Sequence, residues 1–210
     1  SHGKVTIKQI LEYSCNSGAA YASDTVSTLD FYDILKEFGF GARTGLPLPG
    51  ESPGVLRESG SWSLRSKPTI AMGQELLVTA VQMTAAAGAV ANGGVLMKPR
   101  LVSRVVAPDG GTVSEEPAQP VRRVLSPENA KKILAAMEAV TQESGTGHRA
   151  AISDVRLAVK TGTAQMVDPK TGRYSDDDYI ASCLGIFPAN APHALSAITR
   201  FKMTLTMIRE

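Results

Sequence analysis

The chain has 210 residues, 43% apolar and only 5% aromatic, with a formal net charge of +2. Such a length supports one sizeable hydrophobic core, and interspersed charges give no basis for a nucleic-acid partner. No apolar stretch reaches the roughly 18 to 20 residues needed to span a bilayer, and the first residues lack the pattern of an export signal. Cys15 and Cys183 are too few for a disulfide framework and are expected as free thiols. His2, His148 and His193 lie far apart without ligand spacing, so no metal is assigned. No cofactor is implied either.

Thr6 to Gln9 reads as a capping box that opens a short helix with Ile7, Ile10 and Leu11 on one face. Ser14-Cys15-Asn16 falls near the C-terminal end of that helix. Phe31, Ile34, Leu35 and Phe38 recur at helical spacing, and Gly39 stops the helix where a left-handed residue is needed. Their aromatic rings are expected in the core. From Gly39 to Ser61 the chain is dense in Gly and Pro, with Leu46-Pro47-Leu48-Pro49-Gly50-Glu51 at its centre, which predicts a long irregular excursion.

Thr79 to Gln82 is a second capping box, and the Ala-rich helix that it opens ends at Asn92-Gly93-Gly94. Leu101 to Val106 with the turn Pro108-Asp109-Gly110-Gly111 predicts a hairpin. The pairs Arg122-Arg123 and Lys131-Lys132 read as solvated. Ser126-Pro127-Glu128 starts another helix, with Ile133, Leu134, Met137 and Val140 inward, running into Ser144-Gly145-Thr146-Gly147. Strands are expected from Leu157 to Ala164 and from Tyr179 to Phe187, joined through Asp168-Pro169-Lys170-Thr171-Gly172. Helices segregated from an antiparallel strand pair indicate an α+β fold.

Lys160-Thr161-Gly162-Thr163-Ala164 carries the clearest chemistry. A strand ending in a point charge, two hydroxyl donors and a residue without a side chain is suited to an anion, and a peptide carboxylate is the natural ligand. By itself the pentapeptide is equally compatible with an ordinary turn. Ser14 and Asn16, taken alone, read as caps of a helix C-terminus.

Several stretches together resemble one family. Ser14-Cys15-Asn16, Phe38-Gly39-Phe40-Gly41 with Thr44-Gly45 through Gly50-Glu51, Gly73-Gln74 through Asn92-Gly93-Gly94, Gly145-Thr146-Gly147 and Lys160 to Gln165 occur in the order of the transpeptidase domain of class B penicillin-binding proteins. Trp62 ahead of Ala71-Met72-Gly73-Gln74-Glu75 inclines the resemblance to the division-type, septal branch. What it implies is an antiparallel sheet flanked by helices, the fold shared with serine β-lactamases, incomplete in this chain. Residues 1–195 are expected to form the partial transpeptidase domain, and residues 196–210 a divergent segment whose Ile198, Phe201, Leu205 and Ile208 fall at helical spacing.

The same resemblance assigns roles. Lys160, Thr161, Gly162 and Thr163 would bind the terminal carboxylate of a D-alanyl-D-alanine stem peptide, or a β-lactam in its place. The Thr163 N–H would be an oxyanion donor, Ser14 would relay a proton to the leaving amine, and Asn16 would hold substrate backbone and a catalytic lysine. The family's third motif, Ser-x-x-Lys, occurs literally only as Ser1-His2-Gly3-Lys4, too near Ser14 to be the nucleophile. The acylating serine is therefore expected upstream, which leaves this polypeptide inactive and doubtful as an independently folding unit. Cell-wall cross-linking by the parent protein is implied, with division or elongation membrane proteins as partners. Its expected place is the outer face of the bacterial cytoplasmic membrane, anchored by an upstream helix. The competing readings are a β-lactamase or D,D-carboxypeptidase relative, and a non-catalytic sensor of penicillin or peptidoglycan.

Overall fold

The computed structural model describes residues 2–187. Ser1, His193 and the segment expected to diverge from 196 onward lie outside the described residues. Six α-helices and six strands are present among those described: α1 (Ile7–Glu12), α2 (Asn16–Ser23), α3 (Thr28–Glu37), α4 (Ser66–Ala71), α5 (Ala80–Ala91), β1 (Val95–Met97), β2 (Arg104–Val106), β3 (Thr112–Glu115), β4 (Pro120–Arg123), α6 (Pro127–Glu138), β5 (Ala158–Val167) and β6 (Tyr174–Ile186).

Both capping boxes form. Thr6 and Thr79 accept from the N–H of Gln9 and Gln82, and each glutamine side chain returns to the N–H of its capping threonine. Helix α5 is the hub of the molecule because its alanines let neighbours approach closely. On one side Ala87 joins Met137, Ala158 and Ile186, where α5 and α6 pack on β5 and β6. On another, Ala89 meets Leu96 and Val124 with Phe38 against them, which fixes the short β1–β4 pair. A third cluster, Val140, Leu157 and Val159, closes the space between the 3₁₀ turn after α6 and the start of β5. Val140 and Val159 are almost fully buried, each worth roughly 1.5 to 3 kcal/mol in apolar surface removed from water.

The excursion from Gly39 to Ser61 contains only a 3₁₀ turn at Ser59–Ser61 and one bridge, Val55 to Leu77. It is held from beneath by Gln82, 1% exposed, whose amide donates to the carbonyls of Ala42 and Pro53 at 2.8 Å each. Glu51 pins the other face by accepting from the Thr44 hydroxyl and from the N–H groups of Thr44 and Gly45. These bonds, the hydroxyl first, hold its carboxyl below the usual range against the opposing effect of desolvation.

Several expectations are corrected. Ile7 is 77% exposed, so only Ile10 and Leu11 of its face turn inward. Asn16 does not end α1 but begins α2. The hairpin strand starts at Arg104 rather than Leu101, and β6 starts at Tyr174, five residues before Tyr179, because the Asp168–Gly172 turn returns the chain directly into the ladder. Arg122 and Arg123 are exposed as expected, yet they lie in β4, where Arg123 also donates to the Gly93 carbonyl.

Candidate active site

Helix α1 ends in a tight reversal. The Ser14 N–H donates to the Leu11 carbonyl (3.2 Å) and the Cys15 N–H to that of Ile10 (2.9 Å), with Ser14 left-handed at φ 51°. Helix α3 ends the same way, with Gly39 at φ 89° and Phe40 returning to Leu35. Glycine is at ease there. Serine is not, and the left-handed conformation costs an L-residue about 1 to 2 kcal/mol. What the strained position gains is contact: Lys160 Nζ, arriving from β5, donates to Ser14 Oγ across 146 residues of sequence.

Lys160 also donates to the Thr161 carbonyl. An ammonium has three protons, so one remains for a ligand. Burial lowers its pKa below the usual lysine value, with Cys183 on the adjoining strand acting in the opposite sense. Burial likewise raises the Cys183 thiol, partly offset by the lysine charge. Both cysteines are free and half-buried.

Strand β5 pairs antiparallel with β6, placing Lys160 opposite Leu184, Thr161 opposite Cys183, Gly162 opposite Ser182 and Thr163 opposite Ala181. Among the described residues its other edge is unpaired, so backbone donors and acceptors there are available to an extended peptide. A Cβ at Gly162 would come 2.7 Å from Ser182 Oγ. The glycine therefore leaves room for the Ser182 hydroxyl of the neighbouring strand, a contact that the sequence did not disclose.

Thr161 Oγ1 lies 2.8 Å from Thr146 Oγ1. Thr146 thus joins the cluster, a residue noticed in sequence only as part of a motif. It sits between Gly145 and Gly147, both buried. A Cβ on Gly145 would lie 2.1 Å from the Val140 carbonyl oxygen, and one on Gly147 2.9 Å from Val159 Cγ1.

Asn16, first residue of α2, makes no side-chain hydrogen bond among the described residues. It lines, with Ser14, Cys15, Ile10 and Gly18, an open concavity of about 830 Å³. The structure thus brings Ser14, Lys160, Thr161 and Thr146 into one bonded group, with Asn16 beside it and Thr163 further along the open edge. No group of metal-ligating side chains occurs among the described residues. Nor, among them, is any helix long and apolar enough to cross a membrane.

Helices packed on an antiparallel sheet whose open strand carries Lys160-Thr161-Gly162, with a serine delivered to the lysine, define an α+β domain of the penicillin-recognising type. The chain matches the family described as penicillin binding protein transpeptidase domain over residues 1–200, and it belongs to that family. It is 38% identical over 206 residues to penicillin-binding protein PbpB of Mycolicibacterium smegmatis, covering 94% of this chain and 32% of that protein. With peptidoglycan D,D-transpeptidase FtsI of Escherichia coli it shares 30% over 191 residues, 91% of this chain and 30% of that one. Penicillin-binding protein 3 from Mycobacterium tuberculosis, solved with ampicillin, superposes with a TM-score of 0.81 at 38% identity, covering 89% of this chain and 42% of that chain. The chain thus spans about a third of the length of the curated relatives that it matches.

Proposed function

We propose that this chain is the carboxylate-binding half of a class B, division-type peptidoglycan D,D-transpeptidase, residues 1–195 forming that part of the domain. The observation that carries the reading is the Lys160 ammonium, bonded to Ser14 Oγ with one proton left over. That proton meets the terminal carboxylate of a D-alanyl-D-alanine peptide lying along the open edge of β5. The Thr161 and Thr163 hydroxyls add donors.

In the reaction, a serine from a Ser-x-x-Lys segment outside residues 2–187 attacks the penultimate carbonyl carbon. The oxyanion takes the Thr163 N–H, a donor whose loss typically costs about 100-fold to 1000-fold in rate. Collapse breaks the peptide C–N bond. The attacking serine's hydroxyl proton passes to the lysine of its own motif and on to the Ser14 oxygen, while the Ser14 hydroxyl, made more acidic by the Lys160 bond into its oxygen, gives its own proton to the departing D-alanine amine. An amine of a second stem peptide then takes the acyl group, making the cross-link. The concavity beside Ser14 and Asn16, lined also by Val5, Ile10 and the exposed Tyr21, suits the helix that bears the nucleophile. By the same reading the parent acts at the outer face of the cytoplasmic membrane, alongside division proteins.

The test is covalent labelling by a fluorescent penicillin read by intact mass. The parent protein is labelled on a serine, whereas residues 1–210 alone are not. Labelling of the isolated chain would overturn the assignment. In the parent, transfer to an added amine in preference to water separates a transpeptidase from a hydrolase.

A further inference from the structure

Glu12 has no place in that chemistry, yet its situation is unusual. It is 9% exposed, it occupies the last turn of α1, and among the described residues it has no cationic partner. A carboxylate at the C-terminal end of a helix opposes the peptide dipoles, and burial adds to the cost. Its one side-chain partner is Ser144, whose hydroxyl donates to Glu12 Oε1 across 132 residues. Its carbonyl accepts the Thr146 N–H at 3.1 Å. Thr146 in turn touches Thr161 through their hydroxyls, next to the Lys160 that holds Ser14.

The bonds close a ring. From Ser14 it runs back two residues to Glu12, across to the Ser144–Thr146 turn, over to Thr161 and Lys160, and home to Ser14. The Ser144–Thr146 turn is closely packed, with Gly145 and Gly147 lying against Val140 and Val159 and the Gly147 N–H donating to the Val140 carbonyl at 2.9 Å. Glu12 therefore fastens the strained Ser14 reversal to a packed support.

We propose that Glu12 is a positioning residue, which through Ser144 and Thr146 sets the distance between Ser14 and the Lys160 strand. This rests on the transpeptidase reading only as far as its kinetic consequences go. The bond requires an acceptor at residue 12, not a charge, so glutamine serves and leucine does not.

The experiment uses the full-length parent with E12Q, E12L and S144A, each alone and in an S14A background. Two quantities are followed: the rate constant of acylation by a fluorescent penicillin, separated from its reversible binding constant, and the alkylation rate of Cys15, read by peptide mapping. Cys15 follows Ser14 in the same turn, so its thiol reports that turn without reference to catalysis. E12L and S144A should each slow acylation about tenfold with little change in reversible binding, and should speed Cys15 alkylation. E12Q should stay within about threefold of the parent in both. In the S14A background E12L should cost nothing further, because Glu12 acts through Ser14.

Equal damage by E12Q and E12L would overturn the proposal, as would an E12L penalty that multiplies that of S14A. If the parent takes no penicillin but Cys15 responds as stated, the transpeptidase reading falls and the tether stands. If the parent is acylated and neither readout moves, the tether falls alone. S144A changes an exposed side chain, so it carries the test even where E12L fails to fold.

Discussion

The left-handed serine offers a measurement of what this site costs the fold. Replacing Ser14 by alanine removes the hydroxyl but keeps the strained backbone, so it loses the charge-assisted bond from Lys160, about 1.5 to 3 kcal/mol. Glycine loses the same bond while relieving about 1 to 2 kcal/mol of left-handed strain, partly offset by the greater freedom of glycine in the unfolded chain, about 0.4 to 1 kcal/mol. S14G should therefore be more stable than S14A by roughly 0.5 to 1 kcal/mol, although both are inactive as proton relays. The matched control is Gly39→Ala, since Gly39 occupies the equivalent place after α3 without a functional partner, and by the same balance it should lose about 0.5 to 1 kcal/mol. Urea-dependent thiol exchange at Cys183 in the parent protein compares all three. An S14A variant as stable as S14G would mean that no strain is stored at Ser14, and the reasoning would fail.

Three further outcomes are expected. Burial holds Lys160 below its ordinary value of 10.5. Between the lowered folded value and 10.5 the unfolded chain binds more protons, so this group adds stability as pH rises through that window. Reversible penicillin binding should conversely weaken as pH rises through the lowered value, and K160M should abolish that pH dependence while weakening binding about 10-fold to 100-fold; a wild-type binding constant flat up to pH 10.5 would refute it. Gly145→Ala drives a Cβ to 2.1 Å from the Val140 carbonyl oxygen, so it should cost about 3 kcal/mol or more in denaturation, and a loss under about 1 kcal/mol would contradict the packing. Gln82→Leu strands the carbonyls of Ala42 and Pro53 and the Thr79 N–H; a loss of about 3 to 5 kcal/mol should accompany proteolytic cleavage between Ala42 and Pro53.

Elements with strong local signals were legible before any coordinates. The two capping boxes, the Gly39 stop and the alanine run of α5 each state their structure within a dozen residues. Helix α2 escaped because Asn16-Ser17-Gly18-Ala19-Ala20 has no apolar stripe and its N-cap, Cys15, makes no side-chain cap bond. Helix α4 was hidden by Pro68, which sits in the first turn where the missing N–H costs nothing. Strands β1 and β4, three and four residues long, are too short for alternation to register. At the site, Lys160 and Ser14 could be named from residue types and family order. Thr146 and Glu12 could not, because their partners lie far away in sequence and one partner is a backbone carbonyl, which no side-chain pattern announces.

The span of 146 residues between Ser14 and Lys160 also governs when the site comes into being. Chains are made at about 5 to 20 residues per second, so the residues of α1 and its reversal are joined on the order of ten seconds before those of β5. Through that interval nothing holds the serine in its left-handed state, and the faces of Ile10 and Leu11 await their cover. Assembly of this pocket is a late event in the life of the nascent chain, and its early half depends on restraint from aggregation more than on any bond that it will finally make.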